Sequence, residues 1–341
     1  TDRADRKAEN KAGRIKKLHM LQIREATKQD MENLMHIYEI ARETMRQSGN
    51  PNQWGTNFPP EKLIEEDIEK HRCMAVCEGD TIHGVFALCR GEDPTYGHVE
   101  GGEWLNDAPY ITMHRVASDA KVHGLFAVMA DYCKSISDNV RIDTHADNRI
   151  MQKVITRNGF VKCGTIYLLN GEPRVAYHWA RYRIGQADAA DKEKILALYQ
   201  MQLGREFCAW DDHYPGEKEI DFDLAREALF VMKDEAGEIV ASISIDEDEA
   251  VKKLTCWRVD LQPGGELARL AVHPDLQNKG IAREMLKYGM QELKKRGYQS
   301  VHFLVNKENK KALRSYAVFQ FPVVGECEMF GQPFFCYESK L

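Results

Sequence analysis

The chain has 341 residues, 43% hydrophobic and 29% charged, with 47 Lys and Arg against 53 Asp and Glu for a net charge of -6. That length predicts two domains, and the composition excludes wholesale disorder. No apolar run reaches the ~18 residues of a membrane-spanning helix, and the negative charge argues against a global pull toward nucleic acid. Nine cysteines without a C-x-x-C pair predict reduced thiols and a cytoplasmic location rather than a disulfide framework or a zinc site.

Residues 1–20 hold seven Lys/Arg and three Asp/Glu and almost nothing apolar. They predict a flexible basic arm without the apolar region of a signal peptide. After the arm the sequence repeats itself. IREATKQDMENLMHIY (23–38) overlays IGQADAADKEKILALY (184–199) at an offset of 161, and NVRIDTHADN (139–148) overlays SVHFLVNKEN (300–309) at the same offset. Phe160 and Phe321 keep it, whereas Gly124 and Gly280 pair at 156. A period this long marks a duplicated domain. The expected units are 21–182 and 183–341.

Each unit predicts a short strand, an amphipathic helix with Ile195, Leu198 and Leu203 at helical spacing in the second unit, a second helix and a variable loop. A hairpin follows over 228–246 with Gly237 in its turn, then a strand over 265–272. A helix from Gly280 to Arg296 carries Ile281, Leu286, Met290 and Leu293 on one stripe. A buried strand (301–306), a helix (309–318) and a last hairpin around Gly331 complete the unit. The alternation predicts an α/β fold with a mixed sheet in each unit.

The strongest chemical signal is Gln277-Asn278-Lys279-Gly280-Ile281-Ala282, between a strand and a helix. Gly280 lets the backbone bend without a Cβ, and successive N–H groups at a helix N-terminus make an anion site suited to pyrophosphate. At matched spacing follow Asn309-Lys310-Lys311-Ala312-Leu313-Arg314-Ser315-Tyr316 and then Phe321. Q-x-x-G-x-A, helix, strand, N-x-x-A-x-x-x-Y resembles the GNAT superfamily of acyl-CoA-dependent N-acyltransferases over 183–341, with a weaker match over 21–182. The resemblance implies two tandem GNAT domains and acetyl-CoA as acyl donor. It implies cofactor contacts from the 277–282 turn, from the strand backbone at Leu270, Ala271 and Val272, and from Asn309.

Acyl transfer to an amine requires a base, an oxyanion site and an acid for the leaving thiolate. Glu266, 11 residues before Gln277, is the expected base, Tyr316 the expected acid, and a backbone N–H in 270–272 the expected oxyanion donor. The resemblance thus implies an acetyl-CoA-dependent N-acetyltransferase acting on a primary amine by direct attack, mainly in the C-terminal half, with no metal. An acyl-CoA sensor and a protein or peptide acetyltransferase are the alternatives.

In the first half Gly124 and Asn148 are kept as expected cofactor contacts, but Lys121 replaces the Gln, Phe126 the Ala, and Ile155 the Tyr. Tyr110 aligns with Glu266 by this reading, and His114 or His145 are the candidate replacement acid/base groups. Trp54 in NPNQWG (50–55) reads as a hydrophobic anchor. The acceptor, a small-molecule amine by this reading, falls to the loop 207–223, where Asp211 and Asp212 beside Trp210 and Tyr214 offer charge and aromatic contact. Trp257 and Arg258 are weaker candidates.

Overall fold

The computed structural model describes residues 21–206 and 208–341; the expected arm over 1–20 lies outside them. One compact unit ends at Arg181 and a second begins at Tyr182.

In the first unit β1 (Leu21–Glu25), β2 (Cys73–Glu78), β3 (Thr81–Arg90), β4 (Ile111–Ser118), β5 (Asn139–Thr144), β6 (Val161–Tyr167) and β7 (Pro173–Ala180) form one sheet in the order β1-β2-β3-β4-β5-β7-β6. Helices α1 (Met31–Gln47) and α2 (Glu61–Glu69) cover one face, and α3 (Leu125–Ile136) covers the other; α4 (Arg149–Arg157) follows β5. In α1 the stripe Leu34, Ile37, Tyr38, Ala41 is buried at i, i+3, i+4, i+7, which fixes the face turned to the sheet.

The second unit repeats this order. Its strands are β8 (Arg183–Gln186), β9 (Leu229–Lys233), β10 (Ile239–Asp246), β11 (Gly264–Val272), β12 (Ser300–Asn306), β13 (Val323–Met329) and β14 (Gln332–Lys340). The sheet runs β8-β9-β10-β11-β12-β14-β13, the same topology strand for strand. Its helices are α5 (Lys192–Gln200), α6 (Glu217–Ala225), the short α7 (Glu249–Lys252), α8 (Ile281–Lys295) and α9 (Lys310–Ala317). Among the described residues no helix is long and apolar enough to cross a membrane.

Two features of this sheet make a site. First, β11 and β12 are parallel neighbours only from Gly264↔Ser300 to Glu266↔His302. Beyond Glu266 β11 pairs only with β10 and β12 only with β14, so a wedge opens between them. β4 and β5 part in the same way after Met113↔Ile142. Second, two residues of β11, Arg269 and Leu270, lie opposite the single Ile243 of β10, between the pairs Ser242↔Ala271 and Ser244↔Ala268. This is a β-bulge, which bends the strand and re-aims its side chains. Arg269 sits there at φ +49°, and Arg115 of β4 at φ +51°.

Candidate active site

The wedge of the second unit continues into a cleft of about 630 Å³. Its floor is the bulged part of β11 and the diverging part of β12; α8, α9 and the loop 205–210 form its rim. At its head the turn 277–282 enters α8. Asn278 and Gly280 are left-handed, at φ +64° and +87°, and Gly280 is the N-cap of α8. A Cβ added to Gly280 would meet no protein atom within 4 Å. The first helical turn therefore offers unpaired N–H groups to the cleft, and Arg205, Arg283, Lys311 and Arg314 line it against the single acid Glu206. A narrow apolar wedge leading to a cationic helix N-terminus suits a long ligand with an anionic end.

The cleft brings together Leu270, Val272, Gln277, Asn278, Gly280, Ile281, Ala282, Asn309 and Tyr316. It does not bring in Glu266, Ala271 or Lys279: Ala271 is buried in the core between the sheet and α5, and Lys279 is exposed. Two side chains are committed to the scaffold. Gln277 Nε2 donates to the Val272 carbonyl (3.3 Å) while its Oε1 accepts from Arg205 (3.2 Å), so it clamps the turn to the end of β11. Asn309 caps α9, its Oδ1 accepting from Ala312 N–H at 3.0 Å. Tyr316 packs tilted against Phe303 with ring centroids 4.6 Å apart, and burial pushes its phenol above the ordinary value.

Glu266 is the last β11 residue paired with β12, at the closed end of the wedge, and it is 6% exposed. Burial first, and then the nearby Asp246 and Asp248, push its carboxyl well above the usual range. Arg269 on the bulge lines the cleft and binds Asp223 and Asp246.

The acceptor loop is rearranged relative to expectation. Asp211 Oδ1 accepts from the N–H groups of His213 (2.8 Å) and Tyr214 (3.0 Å), so it is occupied holding its own turn. Asp212 is exposed, and Trp210 packs edge-on to Tyr199 at 5.3 Å while lining the cleft. Tyr214 lies within 3.3 Å of Arg269 Nη1. Trp257 covers His302 at 4.5 Å, and Arg258 pairs with Asp260. Phe207 lies outside the described residues.

Residues 195–321 match the profile of the acetyltransferase (GNAT) family. The C-terminal domain belongs to that family. The matched domain is an acyltransferase of the GNAT type, and the shared strand order makes the first unit a second GNAT fold. The chain is also similar to solved structures. A GNAT-family acetyltransferase from Streptococcus agalactiae is 26% identical, covering 47% of this chain and 95% of that one, at a TM-score of 0.44. A Salmonella typhimurium protein described as an acetyltransferase, solved with acetyl-CoA, is 20% identical (47% and 94%, TM-score 0.38). The ribosomal-protein-S18-alanine N-acetyltransferase of Escherichia coli is 17% identical (47% and 93%, TM-score 0.36). No curated protein matches the chain.

The N-terminal GNAT fold keeps the glycine and asparagine caps and departs at the other functional positions. Gly124 caps α3 at φ +90° as Gly280 caps α8. Phe126 is 8% exposed and packs on Phe160 at 6.2 Å, so its ring belongs to the core. Asn148 caps α4 through Oδ1, and its Nδ2 donates to Gln53 of the loop 50–55 at 2.9 Å. Ile155, in the register position of Tyr316, is fully buried. Tyr110, however, is not the counterpart of Glu266. Thr112 pairs with Arg141 as Glu266 pairs with His302, and Arg115 and Arg269 keep the same offset, so the ladder assigns Thr112. His114 Nε2 binds Asp93 at 2.9 Å with Asp143 3.7 Å from Nδ1, and this contact holds the Asp93 carboxyl well below its usual range. His145 accepts from Asp147 N–H at 3.1 Å.

Sequence reasoning missed one repeated constellation. W-x4-P-x7-D occurs at Trp54, Pro59 and Asp67 and again at Trp210, Pro215 and Asp223. Both Trp rings meet a Tyr edge-on, Tyr38 and Tyr199, and both Asp side chains are held by two arginines: Arg115 and Arg72, Arg269 and Arg226. Among the described residues, no group of three or more His, Cys, Asp or Glu is placed to hold a metal ion.

Proposed function

We propose that the C-terminal domain moves an acetyl group from acetyl-CoA to a primary amine by direct attack. The observation that carries this is the wedge between β11 and β12 running to the Gly280 turn under a cationic rim. The chain's residues suit the donor: the free edge of β11 at Leu270–Val272 would pair with an amide-bearing arm, and the turn 277–282 would hold an anionic head. Acetyl-CoA supplies the thioester carbonyl that an amine attacks.

Tyr316, at the cleft wall, keeps its proton at neutral pH and is the group proposed to donate it to the leaving sulfur. Glu266 is proposed as the base, acting at the closed end of the wedge. The N-terminal domain would serve as a scaffold, supported by the core role of Phe126 and the Gln53–Asn148 contact. The acceptor is proposed to be a small-molecule amine, and nine free thiols fit a reducing compartment such as the cytoplasm.

The test is CoA-thiol release from acetyl-CoA over a panel of amines, amino acids, aminoglycosides and basic peptides, run beside Tyr316→Phe. A hit that the variant loses supports the reading and names the acceptor class. A hit that the variant keeps moves the chemistry to another group. Silence with acetyl-CoA still bound favours a sensor.

A further inference from the structure

A row of four titratable residues crosses the second sheet in register: Asp246 opposite Glu266, Glu266 opposite His302, His302 opposite Glu338. The outer two are satisfied. Asp246 binds Arg269, and Glu338 accepts from Ser300 Oγ at 3.0 Å and from Arg258 N–H at 2.8 Å. The inner two are not: Glu266 Oε2 and both ring nitrogens of His302 are buried without a hydrogen-bond partner. Their residues are 6% and 3% exposed.

Register neighbours on parallel strands lie about 4.8 Å apart and present their side chains to the same face, so Glu266 and His302 stand side by side, with Ser300 Oγ and Gln262 Nε2 also close to His302 Nδ1. A buried, unpaired polar group costs about 1–3 kcal/mol, which favours an arrangement that pairs them. The first sheet carries no such couple. Thr112 stands for Glu266, and Arg141, fixed between Trp104 and Tyr110 at 4.0 and 3.9 Å, stands for His302.

A second difficulty points the same way. A carboxyl whose burial keeps it protonated cannot take a proton from an amine unless another group relieves it of its own. His302 is the only imidazole in the row. Burial, with a contribution from Lys252, lowers its pKa to about 4, so at neutral pH the ring is uncharged and a ring nitrogen can accept a hydrogen bond from the protonated carboxyl. The couple is faced by Asp246, Asp248, Glu247, Lys252, Arg269, Tyr214 and Glu338.

We propose that Glu266 and His302 share one proton, and that His302 is the positioning residue through which Glu266 works as a base. This rests on the reading of Glu266 given above. In the step, the O–H bond of Glu266 breaks as an N–H bond forms on His302. An N–H bond of the acceptor ammonium then breaks as a new O–H bond forms on Glu266. The couple gains one proton and one positive charge, beside the carboxylates of Asp246 and Glu338. The amine keeps its lone pair for attack, and the couple later returns the proton to solvent.

The test uses the full chain with 15N-labelled histidine. Ring nitrogen shifts and the infrared band of protonated carboxyl are followed from pH 2 to 9 in the wild type, Glu266→Gln and His302→Asn. The expected result is a His302 proton affinity at least 10-fold lower in Glu266→Gln. In His302→Asn the loss of the Glu266 carboxyl band should move to higher pH. Should Glu266→Gln fail to fold, the His302→Asn band carries the result. Unchanged titrations in both overturn the proposal. Coupling with undiminished turnover in Glu266→Gln overturns the reading of Glu266 as base instead, because neither spectroscopic signal needs an acceptor.

Discussion

Arg269 holds Asp223 with two hydrogen bonds, Nε to Oδ2 at 3.0 Å and Nη2 to Oδ1 at 2.8 Å, with side-chain exposures of 3% and 0%. Arg115 and Asp67 repeat the pair in the N-terminal domain. Each arginine sits on a bulge at positive φ, a conformation that costs a non-glycine residue about 1–3 kcal/mol. The ion pair offsets that strain and ties α2 or α6 to the strand that opens. Asp223→Ala should therefore leave Arg269 buried with fewer acceptors and cost about 3–5 kcal/mol. Urea unfolding that resolves the two domains would measure it; a loss below about 1 kcal/mol would show that the pair does not hold the bulge.

Tyr316 tests the chemistry apart from the fold. Its ring packs on Phe303 and lies 6.3 Å from Tyr337, contacts that phenylalanine retains. Tyr316→Phe should then lower turnover about 100-fold, in the range of a single general acid, while acetyl-CoA affinity by calorimetry stays within about twofold. Equal loss of affinity and turnover would mean a binding role.

Much of this was legible in the sequence because it is local. The duplication and the Gly280 turn are read from strings a few residues long, and each unit's order of strands and helices followed; Asn148 and Asn309 read as cofactor contacts in the sequence, whereas the structure uses both side-chain oxygens as helix caps. The Arg–Asp pairs were not legible because the offset drifts. Tyr38 to Trp54 spans five more residues than Tyr199 to Trp210, so alignment at 161 loses the second Trp. The same drift placed Tyr110 against Glu266, where the strand ladder places Thr112. Asp211 looked free to bind an amine, yet an Asp at a turn more readily caps its own backbone. The row from Asp246 to Glu338 exists only as cross-strand register, which no linear pattern encodes.

Gly280 separates backbone strain from ligand exclusion. At φ +87° any side chain is strained, but a Cβ would touch no protein atom within 4 Å. Gly280→Ala should cost about 1 kcal/mol of stability and weaken acetyl-CoA binding. Gly280→Glu should abolish binding, because its carboxylate would lie where an anion is held. Calorimetric titration with CoA distinguishes the two; binding retained by Gly280→Glu would remove the turn from the site.

Glu266 makes stability depend on pH in a definite direction. An unfolded Glu titrates near pH 4.3, whereas burial, Asp246 and Asp248 raise the folded value well above that. Between the two values the native state holds more protons than the unfolded chain, so stability falls as pH rises. The group's contribution is complete below about pH 4 and is lost as pH climbs through the folded value. Glutamine cannot ionise, so Glu266→Gln should gain on the wild type with rising pH, by up to about 1.4 kcal/mol per unit inside that window. Urea midpoints of the C-terminal transition at pH 5 and pH 8 would show the divergence. Parallel values would mean that Glu266 is already ionised in the folded protein, and that it needs no partner to act as a base.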